Sequence, residues 1–150
     1  MGGRMGGMTE TSASRASNGA AAADAVRDTM HIGVVAEQTE LSLRTLRHYD
    51  EVGLLRPSAR TPGGFRLYTQ DDVERLLLIR RMKPLGFTLE EMGELLSLID
   101  SADSSHQAET QARVAAFIAD AQRRRAKLAA TLEMADEFIE RLRRELPPER

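Results

Sequence analysis

The 150-residue chain contains no cysteine and no tryptophan. That excludes a disulfide framework, a thiolate metal site and a cysteine-held iron–sulfur cluster. Its aromatic residues are only Tyr49, Tyr68, Phe65, Phe87, Phe117 and Phe138, so aliphatic side chains must supply most of any core. Runs of large apolar side chains are short, as at residues 76–79, whereas a membrane-spanning helix takes about 20 apolar residues. A hydrophobic leader core is also lacking, and a protein of the cytoplasm is expected. His31, His48 and His106 stand far apart in sequence, so no metal ion and no cofactor is expected. No nucleophile constellation, Gly-rich phosphate loop or His-Glu metal motif is present, and enzyme chemistry is not expected. The acidic pairs Asp71–Asp72 and Glu90–Glu91 fall where first helical turns are read, and there they complement the positive end of the helix dipole.

Charge is small overall but unevenly placed. The formal net charge is -2. Residues 31–86 carry nine cations against seven anions, and residues 87–150 carry nine against thirteen. Between Ser42 and Tyr68 five arginines face two acids, so a local basic surface survives in an acidic chain. Such a modest field leaves specific geometry to do more than bulk charge.

That segment, SLRTLRHYDEVGLLRPSARTPGGFRLY, joins a basic helix to a Gly-rich hairpin. Ser42 is a good N-cap and Gly53 suits the left-handed position past a helix end, which brackets about three turns. Arg44, Arg47 and His48, spaced i, i+3, i+4, share one face, while Leu43 and Leu46 point to a side suited to a core. A helix of this size can enter the major groove and present Arg and His to base edges. Pro62, Gly63 and Gly64 signal a turn, after which residues 65–68 alternate with the period of a strand. That alternation places Phe65 and Leu67 inward and Arg66 and Tyr68 outward, where they suit phosphate contact. Read alone, an Arg-rich amphipathic helix is a solvated face; the adjacent wing favours DNA. Upstream, Ile32, Val35, Ala36 and Thr39 form an apolar stripe of a short helix from about Gly33, completing a helix-turn-helix.

Downstream, Thr69 with Asp72 and Thr88 with Glu91 read as capping boxes. They open helices with stripes at Val73, Leu76, Leu77, Ile79, Met82 and at Met92, Leu95, Leu96, Ile99. A polar linker over residues 100–108 leads to a helix over residues 109–146. Its positions Val114, Ile118, Ala121, Arg125, Leu128, Leu132, Ala135, Ile139, Leu142 and Leu146 alternate steps of four and three, a heptad seam with one polar break. An exposed seam calls for a partner, and a homodimer is expected. Packing of the seam onto the chain's own domain is the competing reading. Residues 1–29, rich in Gly, Ala, Ser and Thr, read as a disordered tail, and residues 147–150 as a short C-terminal tail.

The order of IGVVAEQT, SLRTLRHYDEVGLL, GGFRLYTQDDVERLLLIRRMKPLGFTLEEM and a long terminal helix resembles the MerR family of transcriptional regulators over residues 30–99, with a looser match in the last helix. The resemblance implies a mainly α fold, in which a winged helix-turn-helix DNA-binding domain precedes a long dimerisation helix that forms an antiparallel coiled coil. It also implies an inverted-repeat promoter operator, distortion of its spacer DNA, and RNA polymerase at the promoter. Glu40 departs from the family, which often has a turn glycine there. The expected DNA-binding set is Ser42, Arg44, Thr45, Arg47, His48 and Tyr49 from the helix, Arg60, Arg66 and Tyr68 from the hairpin, and Lys83, at a position where the family places a basic residue. Two other readings share these motifs: an architectural DNA-bending factor of the excisionase kind, and a coiled-coil adaptor.

Overall fold

The computed structural model describes residues 28–102 and 105–149; the expectation of a disordered tail lies almost wholly outside them. The chain divides into two compact units, one containing residues to Glu51 with Arg56–Glu74, the other Val52–Leu55 with Arg75 onward.

The first unit begins with β1 (Met30–His31) and α1 (Ile32–Thr39). Val35 and Thr39 of the expected stripe are buried, and Ile32 and Ala36 half-buried. The Thr39 hydroxyl donates to the Val35 carbonyl at 2.7 Å and accepts the Leu41 N–H at 3.4 Å, so this buried polar group is satisfied within the turn. Glu40 follows at φ 56°, in the left-handed region, a conformation that costs an L residue roughly 1–2 kcal/mol. Helix α2 (Leu43–Glu51) starts where the Ser42 hydroxyl oxygen accepts the Thr45 N–H at 3.0 Å, and left-handed Gly53, at φ 75°, follows its end.

Strands β2 (Ala59–Arg60) and β3 (Arg66–Tyr68) form the wing, and the sheet order is β1-β3-β2 with both pairings antiparallel. Met30 pairs with Tyr68, Ala59 with Leu67 and Arg60 with Arg66. At the tip, the Thr61 N–H donates to the Phe65 carbonyl at 2.9 Å and Gly64 adopts φ 84°. The expected alternation fails here. Leu67 and Tyr68 are both buried, whereas Phe65 is 68% exposed. Phe65 belongs to the turn, where a period of two has no meaning, and β3 is the central strand, covered on both faces at its end. Tyr68 is thus a core residue, and its hydroxyl finds no hydrogen-bond partner among the described residues.

Helix α3 (Gln70–Met82) begins in the first unit with a reciprocal cap: the Asp72 N–H donates to Thr69 Oγ1 at 3.2 Å and the Thr69 N–H to Asp72 Oδ2 at 2.9 Å. The Ser58 hydroxyl donates to the same oxygen at 2.6 Å, which satisfies a carboxylate that is almost fully buried.

In the second unit α3 buries Leu76, Ile79 and Met82, and a short 3-10 turn (Lys83–Leu85) ends at left-handed Gly86. Helix α4 (Leu89–Asp100) opens with the Thr88–Glu91 capping box. It buries Met92, Leu96 and Leu98, while Leu95 is half-buried and Ile99 exposed. In the last turn the buried position is Leu98 rather than the expected Ile99, which lines an open apolar groove of about 350 Å3 with Val114 and Ile118.

Helix α5 (Gln107–Glu145) runs 39 residues without one buried side chain. Its first half lies on its own unit: Phe117 stands 6.3 Å from Phe87, and the Arg124 guanidinium lies 4.0 Å over the Phe87 ring while pairing with Glu91 and Asp120, each at 3.1 Å. Within the heptad seam Val114 and Ala121 are half-buried by this packing, whereas Ile118, Arg125, Leu128, Leu132, Ala135, Ile139, Leu142 and Leu146 are exposed.

Candidate nucleic-acid interface

Helix α2 sorts its residues by side. Leu46 and Tyr49 are buried, and Ser42, Leu43, Arg44, Arg47 and His48 are exposed. Three turns of basic, solvent-facing helix are thus held by an apolar side, as groove insertion requires. Two assignments change. Leu43, expected in the core, is exposed at the head of the helix; it precedes the first buried position, Leu46, by almost a full turn. Tyr49, expected on the DNA, is a core residue whose ionisation burial opposes, pushing its pKa up. Its i+3 spacing from Leu46 places it on the apolar side. Thr45 is half-buried, and its hydroxyl shares a 2.8 Å hydrogen bond with that of Ser42.

The wing brings Arg60 and Arg66 to one acceptor. Arg60 Nη2 and Arg66 Nε each donate to Asp50 Oδ2 at 2.7 Å, and Arg60 Nη1 also reaches the Gly64 carbonyl at 3.3 Å. Asp50, in the last turn of α2, was not among the sequence-predicted residues. Burial alone would raise its pKa, but the hydrogen bonds from Arg66 and Arg60 outweigh burial and the net shift is downward. A depressed folded value means that this contribution to stability is complete at neutral pH. It is lost as pH falls below the ordinary carboxylate value of about 4. Arg66 is shifted up, first by its hydrogen bond to Asp50. Tyr68, assigned outward from the alternation, offers no surface to DNA, and burial chiefly raises its pKa. Lys83 is exposed but belongs to the second unit.

Among the described residues, no group of three or more His, Cys, Asp or Glu is placed to hold a metal ion, and no helix is long and apolar enough to cross a membrane.

Residues 30–99 match the family description "MerR HTH family regulatory protein", and residues 73–138 match "MerR, DNA binding". The HTH-type transcriptional regulator CueR of Salmonella typhimurium is 36% identical over 110 residues, covering 73% of this chain and 77% of that protein. The chain belongs to the MerR family. A second relative, the uncharacterized HTH-type transcriptional regulator PA4778 of Pseudomonas aeruginosa, is 32% identical over 111 residues, 74% of this chain and 83% of its own. The fold agrees with HiNmlR, described as a MerR family regulator lacking the sensor domain and bound to promoter DNA. It superposes with a TM-score of 0.63 at 23% identity, over 77% of this chain and 91% of that one. As a member of the MerR family the chain is a DNA-binding transcriptional regulator. The relatives are regulators rather than enzymes, and the match runs through the winged domain into the long helix, which favours regulator over excisionase-like factor or adaptor.

Proposed function

We propose that this MerR-family protein regulates promoters as a homodimer. Two copies of α5 pair antiparallel along Val114, Ile118, Ala121, Arg125, Leu128, Leu132, Ala135, Ile139, Leu142 and Leu146, and two recognition helices read an inverted repeat. The carrying observation is that one chain presents a basic helix face and, separately, an apolar seam it covers in part only at Val114 and Ala121: Leu132 is 64% exposed and Leu146 67%. A seam of this kind stays in water unless a second helix meets it. Arg44, Arg47 and His48 face base edges, Ser42 and Thr45 lie at the helix head near the backbone, and Arg60, Arg66 and Lys83 contact phosphate.

By analogy with the family, the dimer bends and untwists the promoter spacer, so that RNA polymerase can engage both of its elements. Such deformation costs about 1–6 kcal/mol, offset by the contacts it permits. A regulator that reads promoters works in the compartment holding the DNA, the cytoplasm of a bacterial cell. The test is selection of duplexes from a random pool, followed by hydroxyl-radical footprinting and circular-permutation gels. Two symmetric half-sites with a bend between them are the expected result; a single half-site bound by a monomer sinks the proposal.

A further inference from the structure

Arg60 and Arg66 are direct cross-strand partners in the wing. Like charges in that position destabilise a hairpin. Here the repulsion is answered from outside the hairpin, by one oxygen of Asp50 on the recognition helix, which accepts from both guanidinium groups at 2.7 Å. The Asp50 side chain is 10% exposed. Arg60 extends the link by reaching the Gly64 carbonyl at the wing tip. A chain of hydrogen bonds therefore runs from the last turn of α2 through the guanidinium of Arg60 to the turn of the hairpin. The donors at Arg66 Nη1 and Nη2 have no partner among the described residues, and the Arg60 side chain is nearly half exposed. Both cations thus remain able to meet a phosphate while Asp50 holds them.

We propose that Asp50 is a positioning residue for DNA recognition: it makes the wing and the recognition helix one rigid reading head, so that the phosphate contacts of Arg60 and Arg66 form only in the register at which α2 meets its bases. The inference rests on the placement of α2 and the wing on DNA described above. It adds a function for an acid that, by charge alone, should oppose binding to a polyanion. The trio carries a net charge of +1, two cations against one carboxylate, so Asp50 gives up some general affinity for DNA and supplies discrimination in return.

The prediction has a sign that a merely structural role does not share. Asp50→Asn frees two opposed cations. Affinity for a scrambled duplex is expected to hold or rise, with a salt dependence steeper by about one unit of slope, the signature of one more phosphate neutralised. Affinity for a duplex selected by the wild-type protein is expected to fall, so that the selected-to-scrambled ratio drops at least tenfold. Asp50→Asn/Arg60→Gln restores the charge balance but not the link; its slope should return to the wild-type value while its ratio stays at least tenfold below wild type. Fluorescence anisotropy titrations of the full chain on both duplexes at several salt concentrations read all of these. A ratio that falls less than tenfold, equal weakening on both duplexes, or a ratio restored by charge balance alone in the double variant overturns the inference. Should Asp50→Asn alone not fold, the double variant still decides: at the wild-type slope its ratio should lie at least tenfold below wild type, and an undiminished ratio overturns the idea. If the wild-type protein itself does not distinguish the two duplexes, the fault lies with the placement of α2 and the wing, not with Asp50.

Discussion

Helices α2 and α5 solve opposite surface problems. In nine residues α2 buries Leu46 and Tyr49 and leaves Arg44, Arg47 and His48 in water. In 39 residues α5 buries nothing and leaves Ile118, Leu128, Leu132, Phe138, Ile139 and Leu142 exposed. Helix α2 turns Leu46 and Tyr49 into its unit and displays cations, as a surface for a polyanion should. Helix α5 displays apolar side chains at heptad spacing, as a surface for another helix should. Each exposed set is thus a statement about the partner rather than about the fold.

The comparison breaks most easily at the seam. Leu128→Asp with Leu132→Asp places four charges in each dimer where four leucines met. At about 1.5–3 kcal/mol per buried leucine, the loss exceeds roughly 6 kcal/mol, on the order of four decades in dissociation constant. Sedimentation equilibrium should report monomers with an intact winged domain; an unchanged dimer mass means that another surface pairs the chains. The two capping boxes provide the next test. Asp72 is buried and also holds Ser58, while Glu91 is half-buried. Asp72→Ala should therefore cost about 2–3 kcal/mol in thermal unfolding, against about 0.5–1 for Glu91→Ala. Equal costs would remove the distinction between the buried and the open cap.

On DNA, Arg47→Ala should cost about 1–3 kcal/mol and relax preference at one base position. The same loss on every sequence would reassign Arg47 to the backbone. Tyr68→Phe deletes a buried hydroxyl without a partner, so stability should stay level or rise by up to about 1 kcal/mol, and affinity for DNA should not change. Weakened binding would restore Tyr68 to the interface. The smallest effect belongs to Glu40→Gly. Relief of the left-handed strain exceeds the added chain entropy by about half a kcal/mol, measurable as a slightly higher melting temperature.

What was legible in the sequence was local. The Ser42 cap, the position of Gly53, both capping boxes and the α1 stripe depend on residues within a turn of one another, and all are present. What was hidden depended on distant partners. Tyr68 is exposed if only the face of β3 that carries Leu67 is covered and buried if both faces are, and three residues of alternation cannot tell these apart. Asp50 reads as an acid on a basic helix until the chain returns ten and sixteen residues later with Arg60 and Arg66. Its only sequence signal was charge, and the neighbouring Glu51 carries the same one, so nothing in the segment singles out Asp50. The face of α5 used by its own unit was equally hidden, because Phe117 and Arg124 lie one step off the heptad seam, and their partner Phe87 is separated from them by a whole helix.

The bare second half of α5 has a consequence for control. Beyond Arg124 every described side chain of the helix is exposed, and a helix gains most of its stability from a packed face rather than from intrinsic propensity. If two chains pair along the proposed seam, the ordering of that half and the meeting of the chains are one event. Under that proposal mass action governs the shape of the molecule: the melting temperature of the helix should rise with protein concentration, and the population of pairs should grow with the square of the free chain. Synthesis and degradation become inputs to promoter choice in their own right, and a modest change in copy number becomes a larger change in occupancy.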